Sequence, residues 1–409
     1  MHHSGLNFFG GITMKLVKSL LLGSATGLVA VAGASAADLG VKKPAAVEYV
    51  KTCPTYGAGF FVVPGTTSCL KLIGRIRADY LIDNPRLRTD NSNRFRARAY
   101  VGFDHRTATE YGLLRTYARV FHQAQNGNGG DATTVEYAFI QFGGITAGRV
   151  APIFEHGWNQ FYLSSGQYGY GYHSDAASVN SLGYTANLGG GFSASIALDD
   201  PRDRRALTAG AALPDIVASL GLDQSWGSAK LSGAITQNRP LNGADDTKYG
   251  YAVEGGVRVN LPFLTKGSNI WVSGSYGSGA LSYTGWNGDG TAGIGNYNID
   301  AKGNDFVNGK ETISYSAAGA LQVFVMPTVA VSLGGFYGQM NPTGASNTVT
   351  TYAAIGQVQW SPVAGFIIGA EAAYRKLSFN SGAVGTYVSA SSGNSKDDVV
   401  GRLRIQRDF

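Results

Sequence analysis

Charge is scarce in this chain. Of its 409 residues only 15% are Asp, Glu, Lys or Arg, against about a quarter in ordinary soluble domains. Hydrophobic residues stand at 44%, so the missing charge is not replaced by a larger apolar core. Long apolar runs are also missing. Beyond residue 36 no stretch offers the clean apolar length of a membrane helix, which excludes a helical membrane bundle. The nearest stretch, Ala317 to Phe336, contains Gln322 and Pro327; two strands joined at Met326-Pro327-Thr328 describe it better.

Chemistry-bearing residues are equally thin. There are six histidines. His2 and His3 precede the expected mature chain, and His105, His122, His156 and His173 sit in no GxSxG or HExxH frame. A hydrolase would need a nucleophile with a base and an orienting group, so no enzyme is expected. Asp131 in NGNGGD and Asp289 in NGDG resemble pieces of calcium loops, but neither completes a ligand set; both read as external turns, with no metal or cofactor. The formal charge is +6. Lys15 and Lys18 lie in a segment expected to be removed, which leaves about +4, and no basic run carries interleaved aromatics, so nucleic acid is not a partner.

Only two cysteines occur, Cys53 and Cys69, with no CxxC pair or His/Cys cluster. In an exported protein they read as one disulfide closing a loop of about 16 residues, worth roughly 3 kcal/mol on the chain-entropy model. Two free thiols are the alternative. Export itself is indicated by Met14-Lys15-Leu16-Val17-Lys18, the apolar stretch Leu20–Val31 and the small-residue site Ala34-Ser35-Ala36. That is the anatomy of a signal peptide covering 1–36, with a mature start at Ala37 and a true translation start at Met14. Residues 37–68, closed by the disulfide, precede the first strand and are read as a small hairpin at the periplasmic mouth of a barrel that spans 69–409.

What the chain has in quantity is Gly (58), Tyr (22) and uncharged polar residues, arranged with a period of two. Tyr249, Tyr251, Val253, Gly255, Val257, Val259 and Leu261 alternate with Gly250, Ala252, Glu254, Gly256, Arg258 and Asn260. Phe366, Ile368, Ala370, Ala372 and Tyr374 alternate in the same way with Glu371 and Arg375. One face is apolar with aromatics at its ends, and the other is polar, as a strand between lipid and water requires. Marking each such run gives about sixteen strands. They are 69–81, 93–104, 111–122, 134–142, 144–150, 178–188, 190–198, 214–225, 227–237, 248–261, 268–280, 311–326, 328–339, 348–361, 364–379 and 398–409.

Tight links at Gly143-Gly144, Gly189-Gly190, Trp226-Gly227, Pro327 and Pro362-Val363 alternate with long ones such as 151–177, 281–310 and 380–397. The fold expected is therefore all-β: a transmembrane antiparallel barrel with long loops outside and short turns in the periplasm. Backbone satisfaction in lipid demands closure, so 398–409 must pair with 69–81. The last strand turns Val399, Gly401, Leu403, Ile405, Arg407 and Phe409 outward, with Arg407 near enough to the rim to snorkel. A secreted solenoid would share the signal and the glycines, but no short repeat is present.

The polar sets near the two ends of the chain carry arginine. Arg75, Arg96, Arg98, Arg115, Arg119, Arg402 and Arg404 fall on strands that closure makes neighbours. Near mid-height each would cost about 2–4 kcal/mol facing lipid, so they are expected to form one basic wall in the lumen. Pairing with acids to brace that wall is the bland alternative, compatible with the first. The link 151–177, APIFEHGWNQFYLSSGQYGYGYHSDA from Ala151 onward, is long and aromatic for a plain connection. It is expected to fold inward as the third long loop, with Glu155 and Asp175 facing the arginines and His156 and His173 adding charge at low pH. An external loop touching neighbours or lipopolysaccharide is the alternative.

Three stretches carry a family resemblance. AVEYVKTCPTYGAGFFVVPGTTSCLKLIGRIRADY (Ala46 to Tyr80), including both cysteines, strongly resembles the mature N-terminus of the alphaproteobacterial porins; GRLRIQRDF resembles their C-terminus, and GFSASIALDD an internal strand. The resemblance spans the mature chain. It implies a sixteen-stranded homotrimer in the outer membrane of a Gram-negative bacterium, in contact with lipid and lipopolysaccharide, through which small hydrophilic solutes diffuse passively. The excess of lumen arginine suggests a mild anion preference. A substrate-specific channel, with Trp158, Phe161, Tyr168, Tyr170 and Tyr172 as a sugar slide, is the competing reading.

Overall fold

The computed structural model describes residues 50–83, 88, 91–125, 131–158, 160–162, 178–204, 210–239, 247–286, 293–294, 297–299, 305–307, 310–342, 348–379, 388–390 and 396–409. The signal peptide, Asp175, His173 and Tyr168, Tyr170 and Tyr172 lie outside the described residues. The wall is built of sixteen strands. In chain order β1 to β8 are Cys69–Ile82, Asn93–Thr109, Gly112–Gln125, Ala132–Phe142, Ile145–Val150, Val179–Gly189, Phe192–Asp199 and Asp215–Gln224. β9 to β16 are Gly227–Asn238, Lys248–Asn260, Asn269–Ser278, Lys310–Met326, Val329–Pro342, Val349–Trp360, Phe366–Phe379 and Asp397–Asp408.

Each strand pairs antiparallel with the next, and the ring shuts where β16 meets β1 through Arg75↔Asp408, Arg77↔Gln406 and Asp79↔Arg404. Closure means that every strand of the wall has a hydrogen-bonded neighbour on both sides, as backbone in lipid requires. The sequence boundaries hold to within a few residues, and the one substantial correction is β2. It runs on to Thr109, because His105 to Thr109 stay paired with Gly112 to Thr116 of β3 although they carry no apolar alternation.

The two faces differ as the alternation requires. Leu72, Phe95, Val101, Leu231, Leu333 and Ile405 are half or more exposed, whereas Arg77, Asp79, Arg96, Glu254, Glu371 and Arg404 are buried. This inverts a soluble protein and fits a wall whose outer solvent is lipid. Near the long-loop end Tyr251, Tyr276, Tyr315, Tyr337 and Tyr352 face outward. The ring centroids of Tyr315–Tyr337 and Tyr337–Tyr352 lie 6.1 Å and 5.4 Å apart. Tyr111, Trp226, Phe263, Trp360 and Phe409 are exposed at the other end. These are the two aromatic girdles of a membrane band. The tight turn at Gly143-Gly144 takes φ of 57° and 89°, which only a glycine pair adopts without strain in a two-residue hairpin.

Cys53 and Cys69 form the expected disulfide, with Cα atoms 6.2 Å apart. They bury against Phe60, and Phe61–Val62 pairs with Cys69 and Leu70 at the start of β1. The Lys71 ammonium and the Arg106 guanidinium, both on the polar side of the wall, sit 5.9 Å and 4.9 Å from the Phe60 ring. The tab therefore packs on the inner side, at the short-turn end.

Candidate functional site

All seven expected arginines stand on the polar side of four consecutive strands, β16, β1, β2 and β3. The strand register stacks them in tiers. Nearest the long loops, Arg94 is held by Asp83 at 2.7 Å. One pleat lower, Asp79, whose side chain has no exposed surface, takes Arg96 at 2.6 Å and Arg404 at 2.7 Å. Arg402 lies beside them, fully buried, donating to the Tyr162 carbonyl.

At the next level Arg77 donates to Gln406 at 3.0 Å and to the Tyr100 hydroxyl at 3.1 Å. Arg98 donates to Gln123 at 2.7 Å and to the same hydroxyl at 3.3 Å. Below them Arg75 pairs with Asp408 at 2.6 Å, and Arg119 with Glu136. Toward the short turns Asp104 bridges Arg106 at 2.8 Å and Arg115 at 3.0 Å. Most of these arginines are thus paired with acids, yet arginine outnumbers carboxylate on these strands.

Rings hold the guanidinium planes as well. Arg98 lies 4.6 Å from the Phe121 centroid, Arg115 5.2 Å from Tyr117, Arg119 5.0 Å from Tyr137 and Arg404 4.3 Å from Tyr162. Such stacking fixes the long side chains without neutralising them. Glu136, Tyr100 and Tyr162 were not legible as members of this set. Glu136 reaches the inner face through a bulge, where Arg119 opposes Tyr137 and Val120 opposes Val135, and a bulge breaks the period of two.

The described part of the link after β5 touches the same inner side from β8 round to β16. Phe154 is buried with Val217, Ala234, Ala252 and Tyr283. Three glycines on the polar face open slots for its aromatics: a Cβ on Gly256 would lie 2.9 Å from Trp158, on Gly334 2.7 Å from Phe161, and on Gly369 2.6 Å from Tyr162. The Tyr162 amide donates to Glu371 at 2.7 Å and its hydroxyl to Gln359 at 2.8 Å. Burial pushes the Tyr162 phenol up to about 12, with Arg404 pulling the other way.

Two expectations about this segment need correction. Glu155 does not carry the negative charge to the arginine wall. Its carboxylate takes Arg204 at 3.3 Å, and Lys230 of β9 donates to its carbonyl at 2.6 Å, half-way round the ring from β1. Anchoring of the neighbouring Phe154 on β8–β10 places it there. Burial alone would lower the Arg204 pKa, but Tyr283, Glu155 and Asp199 together raise it above the ordinary value. His156 does not face the arginine wall but is a buried ring, 4.7 Å from Trp158 and 5.1 Å from Trp271, its Nδ1 accepting the Trp158 amide at 3.1 Å.

The link after β11 also differs from the external loop expected of 281–310. Leu281, Trp286 and Ile294 are buried with Met340, Val349 and Leu377 of the inner face, and Tyr283 donates to Asp215 at 2.9 Å.

Comparison with known proteins gives a consistent picture. Residues 38–403 match a porin subfamily. Porin Omp2b of Brucella canis is 34% identical over 305 residues, covering 67% of this chain and 78% of the relative. Omp2b of Brucella melitensis is 33% identical over the same shares. The crystal structure of the outer membrane channel DcaP of Acinetobacter baumannii superposes with a TM-score of 0.64 at 15% identity, covering 85% of this chain and 99% of that one. Salmonella typhi OmpF in complex with daunomycin gives 0.53 at 11% identity, covering 84% and 98%. At such identities the two structures show a shared fold only.

Proposed function

The chain belongs to the porin subfamily, and on that premise we propose that its arginine wall lines the narrow part of a passive, water-filled channel for small hydrophilic solutes and ions. The protein is an outer-membrane porin, a multi-pass β-barrel of the Gram-negative outer membrane. The finer reading rests on one observation: a tiered column of guanidinium groups on β16 and β1–β3, braced by carboxylates but not neutralised by them.

In this reading the link after β5 is the constriction loop. Its residues 154–162 follow the inner face, and Tyr162 rather than Glu155 meets the arginines. The disulfide-closed tab, within residues 37–68, borders the periplasmic mouth beneath Arg106. The barrel works as a homotrimer, with lipid and lipopolysaccharide around it. Two aromatics of the sugar slide, Trp158 and Phe161, are docked into Gly256 and Gly334, which favours the general pore over a sugar-specific one.

The excess of guanidinium gives a mild anion preference, since a focused positive potential raises the local anion concentration. Reversal potentials measured across a planar bilayer in a KCl gradient are expected to carry the sign of chloride permeability. Preference for potassium would reject the arginine wall as the selective element.

A further inference from the structure

We propose that Arg98, between Arg75 and Arg119 around the ring of Tyr100, is a binding site for a small doubly charged oxyanion, best matched by a phosphate group; this rests on the channel reading above. Arg98 differs from five other arginines of the wall in what it lacks. Arg75, Arg96, Arg115, Arg119 and Arg404 each meet a carboxylate. Arg98 meets only neutral groups: the Gln123 carbonyl oxygen through Nε, the Tyr100 hydroxyl through Nη1, and the Phe121 ring face. Its Nη2 has no acceptor among the described residues, and the side chain is half-buried rather than sealed.

Tyr100 supplies a second unused donor. Its hydroxyl oxygen, on a side chain 2% exposed, accepts from both Arg77 and Arg98. With the oxygen engaged as acceptor, its own O–H hydrogen has no acceptor among the described residues. A guanidinium edge and a phenolic O–H, adjacent and both without acceptor, ask for a ligand that only accepts. Arg75 and Arg119 lie 5.5 Å and 5.8 Å from the same ring centroid. Several cations converging from three strands favour a ligand with more than one charge and several oxygens. Chloride has one charge and no fork to match, and passes.

The test uses the full-length channel in planar bilayers with KCl on both sides. Inorganic phosphate is titrated in above its second ionisation. Chloride current is expected to fall along a saturating curve. Arg98→Gln is expected to raise the half-blocking concentration by about tenfold or more, the loss of a hydrogen bond to a charged group. Arg98→Lys, which keeps the charge and loses the fork, is expected to fall between. Current that rises simply with added salt, or equal block in wild type and both variants, overturns the site. A channel that conducts KCl and ignores phosphate loses this site alone, whereas a folded barrel that passes no current overturns the channel reading with it.

Discussion

Asp79→Asn is expected to destabilise the barrel by about 3–5 kcal/mol, the usual consequence of removing one partner from a buried ionic cluster. Asp79 has no exposed side-chain surface and binds Arg96 and Arg404 through both oxygens, with Arg402 buried alongside. The amide keeps the shape and loses the charge, so three guanidiniums share a dry tier with one counter-charge fewer. If the arginines stay in place, the lumen becomes more positive, and the reversal potential moves further toward chloride. Denaturant unfolding of the reconstituted barrel checks the first effect and a KCl gradient the second. A variant with the wild-type midpoint and wild-type selectivity would mean that Asp79 is not the hub of this tier.

Gly334→Val together with Gly369→Val is expected to release the loop without opening the wall. Each Cβ would enter the space of an aromatic ring, Phe161 in one case and Tyr162 in the other, at less than 3 Å. Overpacking of this kind costs about 1–3 kcal/mol per site. Charged against the docked pose alone, one substitution raises the undocked population by roughly tenfold and two by far more. Single-channel recordings are expected to show larger or more frequently fluctuating steps, while heat-modifiable migration, the mark of a folded barrel, is retained. Unchanged steps from both the single and the double variant would show that the segment does not set the conductance.

The wall was legible because lipid enforces a rule that the sequence must state openly. Tyr249 to Leu261 alternate strictly, and β10 occupies nearly the residues read from that pattern. The same logic placed Arg96, Arg98, Arg115, Arg119, Arg402 and Arg404 on one face, since a period of two leaves a mid-height arginine only two directions. Where the period fails, so did the reading. Glu136 sits at a bulge, and the last residues of β2 are paired without being apolar.

The interior was less legible for a different reason. Trp158, Phe161 and Tyr162 dock against glycines of β10, β13 and β15, far away in sequence, and a strand glycine by itself says nothing of the ring that fills its slot. Glu155 finds Arg204 through a second loop. Tyr283 and Trp286 stand in a glycine- and asparagine-rich context that reads as an external loop, yet both are buried on the inner face.

Single-channel conductance of the refolded protein in a planar bilayer tests the central claim most directly. An open, passive pore gives ohmic steps, grouped in threes for a trimer and indifferent to added sugars. A barrel shown to be folded by its heat-modifiable migration that nonetheless passes no ions would contradict the channel itself.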